Sequence, residues 1–189
     1  MIPDLSEIPK WVSTFVIPDY SNIYRPCITD KVPLNMVKLK SFKIKEVFDV
    51  KKGKRLIKAN MQSGRTPFVG AIDKNNGIRQ YISAAPIHEG NTITVNYNGS
   101  VGEAYYQPVP FYASDDVNVL YPKFRLNKYI ALFIVAIIKN EKYRYNYGRK
   151  WHMERMEESV IKLPVCKSGE LDLNYMENYI KSLNYTSSI

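Results

Sequence analysis

The alternation of apolar and polar positions along the chain is clearest in residues 92–107. β-Branched and aromatic residues alternate with polar ones on both sides of Asn98 and Gly99, and this pattern predicts a β-hairpin with a polar, glycine-rich tip. A third apolar run, residues 111–120, follows a proline-containing break at residues 108–110. The three runs together predict a three-stranded antiparallel element around which the other segments pack.

Shorter apolar runs predict further strands outside this element. Residues 66–71 and 79–82 have the composition of strands, and the Asn-Gly pair within residues 73–78 predicts a turn between them. Residues 42–50 fit a short strand or a turn of helix, and residues 160–165 fit an edge-like strand that is stopped by proline. The pattern therefore favours short strands joined by tight turns.

Two segments have the periodicity of helices. Residues 129–140 are apolar on nearly every side and follow a polar capping position at Asn127, which predicts a helix that is buried on most faces. Residues 172–183 carry their apolar side chains on one side and predict a short amphipathic helix towards the end of the sequence.

The first part of the chain follows neither pattern. Residues 1–33 contain five of the eleven prolines, mixed with several large apolar side chains. So many prolines exclude a long helix, while so many apolar groups argue against a free tail. We expect residues 1–37 to form an arm that lies against the body of the domain or against a partner.

Composition limits the classes of protein to consider. A chain of 189 residues with 45% hydrophobic and 24% charged residues fits a single globular domain. The 27 Lys and Arg residues against 18 Asp and Glu residues give a net charge of +9, which points to a polyanion or an acidic protein surface as partner. The longest apolar run, residues 129–138, is about half of what a membrane span requires, and the first residues lack the pattern of a signal peptide. We therefore expect a cytoplasmic protein.

Most of the positive charge falls in two segments. Residues 38–58 contain nine basic residues against two acidic ones, and Gly53 opens a basic loop at residues 51–55. Residues 139–152 mix five basic residues with aromatic ones and a single acid. Interleaved cations and tyrosines are typical of a nucleic-acid face, because cations meet phosphates while aromatic and amide groups meet bases and sugars. A solvated charge run or a polar rim around the core is the alternative interpretation of each segment.

Candidate catalytic chemistry is sparse. Cys27 and Cys166 lack the spacing of metal ligands and suggest neither a zinc site nor a disulfide framework, so we expect no metal and no cofactor. His88 and His152 stand alone in the sequence and are expected to be structural or solvent-facing. No two prolines are adjacent and no glycine-rich nucleotide loop is present, which argues against methyl transfer by this polypeptide itself.

A magnesium-dependent nuclease is the enzymatic alternative. Asp19, Asp49 and Lys51 match the residue types of a nuclease pattern in which two carboxylates hold Mg²⁺ and a lysine orients water. The match arises readily by chance in a chain rich in lysine and aspartate. It is therefore kept only as the rival of a binding function.

The order of the short motifs resembles a known family. The motifs that carry the resemblance are, in chain order, residues 50–56, 67–70, 75–78, 90–102, 113–117, 147–150, 161–164, 169–172 and 176–183. In this order and spacing they are similar to a target-recognition domain of the specificity subunits of type I restriction-modification systems. The single-domain form found in fused restriction-and-methylation enzymes is the most similar. The resemblance covers about residues 38–183.

The resemblance implies an α+β domain with an antiparallel or mixed β-sheet core, a buried helix and a short C-terminal helix. It implies a domain at residues 38–189 that reads double-stranded DNA, has no catalytic residues, and directs a methyltransferase and a restriction subunit. The full subunits of the family carry two such domains joined by long helices, whereas this chain has one. It is therefore either a half-subunit that forms a homodimer or a single reader bound to one partner. A regulator or decoy that competes with a full specificity subunit is a further alternative.

Candidate DNA contacts follow from side-chain chemistry. Cations are expected on phosphates, arginine on guanine, and asparagine or glutamine on adenine. The phosphate candidates are Lys52, Lys54, Arg55, Lys58, Arg149 and Lys150. The base candidates are Arg79 for guanine and Asn75, Asn76 and Gln80 for adenine. The same segments add Tyr81, Lys142, Tyr143 and Tyr145, and the hairpin adds Asn98 and Ser100 as secondary contacts.

Overall fold

The computed structural model describes residues 32–34 and 37–183. Most of the predicted N-terminal arm, together with Asp19 and Cys27, lies outside these residues. The strands are β1 (Leu39–Lys43), β2 (Phe48–Lys52), β3 (Ser63–Val69), β4 (Ile78–Ile82), β5 (Thr92–Asn96), β6 (Ala104–Gln107), β7 (Tyr112–Ala113), β8 (Val117–Pro122) and β9 (Val160–Pro164). The helices are α1 (Ile44–Val47), α2 (Lys128–Asn140), α3 (Met153–Glu158) and α4 (Leu173–Lys181). The expected α+β fold is confirmed.

The predicted hairpin, β5 and β6, forms one edge of a four-stranded antiparallel sheet with the order β2-β8-β5-β6. Thr92 pairs with Gln107 and Val95 with Ala104, so the two hairpin strands pair antiparallel as predicted. The connection between them spans residues 97–103 and is longer than a two-residue turn. Gly99 lies within it at a φ of 60°, in the left-handed region that glycine enters without strain.

A second sheet, with the order β4-β3-β7, lies beside the first. Strands β3 and β4, both predicted from composition with a turn between them, pair antiparallel, whereas β3 and β7 pair parallel. The run at residues 111–120, expected as one strand, is divided between the two sheets. Its first part is β7, a turn follows at residues 114–116, and β8 then joins β5 in the larger sheet. Local alternation could not show this division, because both parts have the composition of strands.

Helix α2 covers one face of the larger sheet and provides much of the core. The Asn127 side chain accepts hydrogen bonds from the backbone N–H groups of Tyr129 and Ile130, each at 3.0 Å, which confirms the predicted cap. Ile134 and Ile138 are fully buried, while Ala136 faces outward. The helix packs against β6 and α4, so the predicted buried helix joins the hairpin to the C-terminal part of the chain.

Strands β1 and β9 form a separate two-stranded sheet, which confirms the edge-like strand predicted near residue 160. Helix α4 is capped by Asp172, whose carboxylate accepts a hydrogen bond from the Tyr175 backbone N–H at 2.9 Å. The Tyr175 hydroxyl also donates to the carbonyl oxygen of Pro33 at 2.9 Å, so the described end of the arm lies against this helix. Within the described residues, no helix is both long enough and apolar enough to span a bilayer.

Candidate nucleic-acid interface

The basic loop, residues 51–55, is fixed to the turn between β7 and β8. The backbone N–H groups of Gly53 and Lys54 donate to the carbonyl oxygens of Val117 and Ala113, at 3.0 and 2.9 Å. A Cβ atom at Gly53 would lie 2.0 Å from the carbonyl oxygen of Ser114, so no side chain fits there without a backbone shift. The loop therefore holds a defined position while its cationic side chains remain exposed.

A bulge in β4 directs the Arg79 side chain. Phe68 of β3 pairs with Gln80 and its neighbour Val69 pairs with Ile78, which leaves Arg79 as an extra residue in the ladder. Bulges of this kind bend a strand locally and re-aim the side chain they carry. The Arg79 side chain is exposed and lies at the same recess as Arg55 of the basic loop.

Several separate segments meet at one concave surface, which we call the central depression. It has a volume of about 520 Å³ and is lined by Arg55, Arg79, Asn98, Asp115 and Tyr147, among others. These side chains come from the basic loop, β4, the β5–β6 connection, the β7–β8 turn and the aromatic segment that follows α2. The fold thus joins parts of the chain that are far apart in sequence.

A second recess extends the central depression along β4. It has a volume of about 410 Å³ and shares Arg55 and Arg79 with the first, adding Lys58 and Gln80. Five of the candidate contacts predicted from the sequence therefore lie along one continuous surface. They are Arg55, Lys58, Arg79, Gln80 and Asn98.

The other hairpin and turn candidates contribute to the framework around this surface. The Asn98 amide donates to the Asp116 carboxylate at 2.7 Å, which ties the β5–β6 connection to the β7–β8 turn. The Asn76 amide donates to the carbonyl oxygen of Tyr106 at 2.9 Å, so the Asn75–Gly77 turn lies against β6 rather than in the depression. The backbone N–H of Ser100 donates to the carbonyl oxygen of Ala71 at 3.3 Å, which ties the β5–β6 connection to the residues that follow β3.

The aromatic candidates differ in their surroundings. Tyr145 stacks on the buried Trp151 ring with centroids 4.3 Å apart, and its hydroxyl lies 2.9 Å from the Ser159 hydroxyl. Tyr81 and Tyr143 are 54% and 81% exposed. Tyr143 borders a separate recess with Ile137, Arg144 and Val160 among others, away from the central depression. Tyr145 therefore supports the fold, whereas Tyr81 and Tyr143 face outward.

The cations at and next to the central depression have no carboxylate partner within 4.0 Å among the described residues. These cations are Lys52, Lys54, Arg55, Lys58, Arg79, Arg149 and Lys150. Ion pairs form elsewhere in the described part of the chain. They are Lys43 and Lys45 with Glu158, Lys123 with Asp49, Lys139 and Lys142 with Glu103, Arg144 with Glu141, and Lys181 with Glu177. These cations are thus free of ion pairs in the described part of the chain, which suits the binding of phosphates, although Asp115 and Asp116 also line the depression.

The candidate Lys142 belongs to the paired group. Its Nζ lies 2.5 Å from the Glu103 carboxylate, and Lys139 lies 2.8 Å from the other oxygen of the same group. Burial opposes the ionisation of Glu103, but the hydrogen bonds from both lysines outweigh it and hold the pKa of this carboxyl below its ordinary value of 4.5. Lys142 therefore neutralises a largely buried carboxylate.

Among the residues of the depression whose side chains carry a polar group, Ser114, Asp115, Asp116 and Tyr147 were absent from the candidates drawn from the sequence. Tyr147 lies between predicted candidates, and the Tyr-Gly pair at 147 and 148 is itself a turn signal that could have placed it at a tip. The position of Asp115 depends on the passage of the chain from one sheet to the other, which the sequence does not reveal.

The residues proposed for a nuclease are engaged differently in the described part of the chain. The Asp49 carboxylate lies 3.1 Å from Lys123 Nζ, and Lys51 Nζ lies 4.1 Å from the centroid of the Tyr121 ring. The third residue, Asp19, lies outside the described residues. Within residues 32–34 and 37–183, no group of three or more His, Cys, Asp or Glu residues is arranged to hold a metal ion.

The two histidines occupy contrasting positions. His88 is buried, its ring is stacked on Phe111, and its Nδ1 lies 3.0 Å from the Tyr121 hydroxyl. Burial, assisted by the charge of Lys51, lowers the pKa of His88 below its ordinary value of 6.5. His152 is exposed beside the Tyr97 ring, with centroids 5.5 Å apart.

Comparison with known proteins places these features in a family. The profile of the family described as type I restriction modification DNA specificity domain matches residues 36–188. The type II restriction enzyme BgcI specificity subunit S.BcgI of Heyndrickxia coagulans is 36% identical over 95% of this chain and 56% of that protein. A putative type I specificity subunit of Mycoplasma pneumoniae is 27% identical over 80% of this chain and 42% of that protein. The chain thus spans about half the length of these relatives.

Solved structures show the same fold at lower identity. The S subunit of a type I restriction-modification system from M. genitalium aligns with a TM-score of 0.61 and 19% identity, over 79% of this chain and 38% of that one. The HsdS subunit from Thermoanaerobacter tengcongensis aligns with a TM-score of 0.56 and 13% identity, over 87% of this chain and 39% of that one. Because the family profile covers most of the sequence and a relative with 36% identity covers nearly all of it, this chain belongs to the family of type I restriction modification DNA specificity domains.

Proposed function

We propose that this chain is a non-catalytic reader of double-stranded DNA sequence that directs a partner methyltransferase and a partner nuclease. The observation that carries the proposal is the central depression, where several chain segments meet beside cations that have no carboxylate partner among the described residues. A surface of cations without ion-pair partners, with amide and guanidinium groups in its recess, combines phosphate binding with base recognition. The specificity subunits among its relatives support the same function.

In this proposal the contacts are divided by chemistry. Lys52, Lys54, Arg55 and Lys58 hold phosphates on one side of the depression, and Arg149 and Lys150 hold phosphates near Tyr147. Arg79 is aimed by its bulge at guanine, whose two major-groove acceptors match a guanidinium group. Gln80 follows Arg79 and matches the donor and acceptor pair of adenine.

The remaining candidates have a supporting part. Asn75, Asn76, Asn98 and Ser100 shape the loops around the reading surface, and Tyr81 contacts the duplex only at its margin. Tyr143 borders a different recess and takes no part in DNA contact. Lys142 and Tyr145 stabilise the fold through Glu103 and Trp151.

The larger arrangement is also part of the proposal. Residues 38–189 form the recognition domain, and residues 1–37 form an arm whose described end packs on α4. Because the relatives are about twice as long, this chain supplies the equivalent of one reading half. It acts either as a homodimer or as a single reader bound to the methyltransferase. The DNA that it reads is in the cytoplasm, which is where the chain is expected to work.

Duplex binding is tested by charge removal on the two sides of the molecule. Lys54→Ala/Arg55→Ala removes two unpaired cations from the basic loop. The matched control, Lys43→Ala/Lys45→Ala, removes two cations that pair with Glu158. Affinity for duplex oligonucleotides is measured by fluorescence anisotropy at salt concentrations from about 50 to 300 mM. The dependence of affinity on salt reports the number of phosphate contacts.

We expect the basic-loop variant to bind all sequences more weakly and to lower the slope of log affinity against log salt by about 1 to 2, since each phosphate contact contributes about 0.9. The control should keep the slope of the unsubstituted protein. If the two variants change DNA affinity and its salt dependence equally, the basic loop is not part of the interface. Failure to bind any duplex, alone or with its methyltransferase, would favour a protein-interaction function.

The nuclease alternative is tested with the same protein. The purified chain is incubated with duplex DNA and Mg²⁺, and cleavage is compared with that of Asp49→Ala. We expect no cleavage by either protein. Cleavage that disappears in Asp49→Ala would overturn the binding function proposed here. Sequencing of methylated bases in cells with and without the chain then identifies the target.

A further inference from the structure

A tight hairpin follows α2 and presents one tyrosine at its tip. Asn146 and Arg149 form an antiparallel bridge, in which the N–H of each residue donates to the carbonyl oxygen of the other, at 3.3 and 3.0 Å. The Asn146 side chain accepts a further hydrogen bond from the Arg149 N–H at 2.9 Å. The two residues between them, Tyr147 and Gly148, form the turn. We call residues 145–150 the aromatic hairpin.

The base of the aromatic hairpin is rigid. Tyr145 stacks nearly parallel on Trp151, with an angle of 11° between the rings, and Trp151 is fully buried. The Ser159 hydroxyl lies 2.9 Å from both the Tyr145 hydroxyl and the Trp151 indole nitrogen, and it donates to the Arg155 carbonyl oxygen at 2.6 Å. The Arg155 guanidinium in turn donates to the carbonyl oxygen of Lys150 at 2.6 Å. Both ends of the hairpin are therefore held by the core.

The tip of the aromatic hairpin is exposed, in contrast to its base. The Tyr147 ring is 77% exposed, so it adds little to the packing of the core. Lys150 Nζ lies 5.0 Å from the centroid of this ring, and Tyr147 shares the lining of the central depression with Arg55 and Arg79. A planar apolar ring is thus held on a rigid support among cations without carboxylate partners. Little backbone freedom at the tip is then lost on binding, because the hydrogen bonds at its base already hold the hairpin.

We infer that the tip of the aromatic hairpin is a wedge, and that Tyr147 inserts against a base step of the bound duplex and partly unstacks it. This inference rests on the proposed function. Apolar wedges flanked by cations are a known means of deforming DNA, since the cations hold the backbone while the wedge opens the stack. Lys150, beside the ring, is placed to hold the phosphate next to the opened step. Tyr147 then contributes to affinity through stacking rather than through a hydrogen bond to one base.

The test compares two tyrosines of the same segment. Tyr147→Ala removes the wedge, and Tyr143→Ala is the matched control because Tyr143 is equally exposed, at 81%, but borders a different recess. Tyr147→Phe keeps the ring and loses only the hydroxyl. Each full-length protein is mixed with the duplex that the unsubstituted chain selects from a randomised pool. A single 2-aminopurine is placed at successive positions, because its fluorescence rises when its neighbour unstacks.

We expect the unsubstituted chain, Tyr147→Phe and Tyr143→Ala to raise the fluorescence at one step of the duplex. Tyr147→Ala should abolish that rise and weaken binding by about 10-fold or more, as expected for the loss of one base-aromatic stack. Thermal unfolding of the three variants should match that of the unsubstituted chain, because both rings are exposed.

Several results would overturn the wedge. A fluorescence rise that persists in Tyr147→Ala, or that occurs at no step, would exclude insertion of this ring. A loss in Tyr147→Phe as large as that in Tyr147→Ala would assign the role to the hydroxyl. An effect of Tyr143→Ala equal to that of Tyr147→Ala would exclude a specific part for the hairpin. If the unsubstituted chain binds the duplex but none of these signals depends on Tyr147, the wedge fails and the DNA-reading function stands. If it binds no duplex, both fail.

Discussion

The two sides of this molecule use their cations differently. Around Glu103 and Glu158, lysines lie within bonding distance of carboxylates and neutralise them. Around the central depression, the cations from the basic loop and β4 have no carboxylate within 4.0 Å in the described part of the chain. One set of charges is paired within the fold, and the other has no ion-pair partner in the described part of the chain.

This contrast separates stability from binding better than charge counts do. Residues 38–58 appear in the sequence as one basic segment, but the structure divides it. Lys43 and Lys45 are paired with Glu158, whereas Lys54 and Arg55 are not paired among the described residues. Substitutions on the paired side should therefore change the free energy of unfolding, and substitutions at the depression should change DNA affinity.

The largest effect is expected where the core supports the depression. Trp151→Ala removes a fully buried indole beneath the aromatic hairpin and should lower the free energy of unfolding by about 3–5 kcal/mol. Chemical denaturation measures this loss. Tyr147→Ala, only four residues away but exposed, should leave the denaturation midpoint unchanged. A similar loss of stability in both variants would break the contrast between support and tip.

A smaller effect is expected at the buried carboxylate of the paired side. Glu103→Gln leaves Lys139 and Lys142 without their partner and should lower the free energy of unfolding by about 1–3 kcal/mol at pH 7. Because the pKa of Glu103 is depressed in the folded chain, its contribution is present above pH 4.5 and is lost as the pH falls through the folded-state pKa. Denaturation curves from pH 6 to pH 3 should show a weaker pH dependence in the variant. An unchanged pH dependence would mean that the two lysines do not stabilise the ionised form.

Single lysines on the two sides provide a finer test. Lys142→Ala should lower the free energy of unfolding by less than about 1 kcal/mol, since its Nζ is partly exposed and Lys139 remains, and it should leave DNA affinity unchanged. Lys150→Ala should leave stability unchanged and lower the salt dependence of DNA binding by roughly 0.9. Anisotropy titrations measure the DNA affinity of each variant at several salt concentrations, and chemical denaturation measures the free energy of unfolding of each variant. A loss of DNA affinity in Lys142→Ala would show that this residue contacts DNA after all.

The smallest effect is expected from His88, which lies near neither carboxylate cluster. Its pKa is lowered in the folded chain by burial and by Lys51, so the unfolded chain binds a proton first as the pH falls below 6.5. Stability should therefore decline between pH 6.5 and the folded-state pKa, with a slope of at most about 1.4 kcal/mol per pH unit for one group. His88→Gln should remove this slope, whereas His152→Gln, at an exposed position, should retain it.

Much of the fold could be predicted from the sequence because its signals are local. The hairpin, the Asn127 cap of α2 and the edge strand near residue 160 each depend on residues that are neighbours in the chain. The division of residues 111–120 between two sheets depends on the parallel pairing of β7 with β3, more than 40 residues away. No local pattern encodes that choice.

The candidate site was predictable in part for the same reason. The basic loop and the Arg79 region were found because their side-chain types suit DNA, wherever they lie in space. The sequence could not show that Lys142 meets Glu103, which is 39 positions away. It also could not show that Tyr145 packs against the core while Tyr147 is exposed, since the two tyrosines have the same chemistry and differ only in lying at the base and at the tip of a hairpin.

The small sheet has a consequence for the exchange of specificity between relatives. Phe68, Ile82 and Tyr112 form an apolar cluster of their own, joined by Leu56, Met61 and Ala84 and separate from the main core. Except for Tyr112, every member of this cluster lies in residues 56–84. The same segment also packs Val69 and Ile78 against Phe111 and Val119, and the Asn76 amide donates to the carbonyl oxygen of Tyr106. A graft of this segment from another family member would therefore bring part of its own packing, provided that Tyr112, the close contact at Gly53 and these contacts to the hairpin sheet are kept. Under the function proposed here, the surface that carries Arg79 and Gln80 can be exchanged in this way while the hairpin sheet and its helices stay as they are.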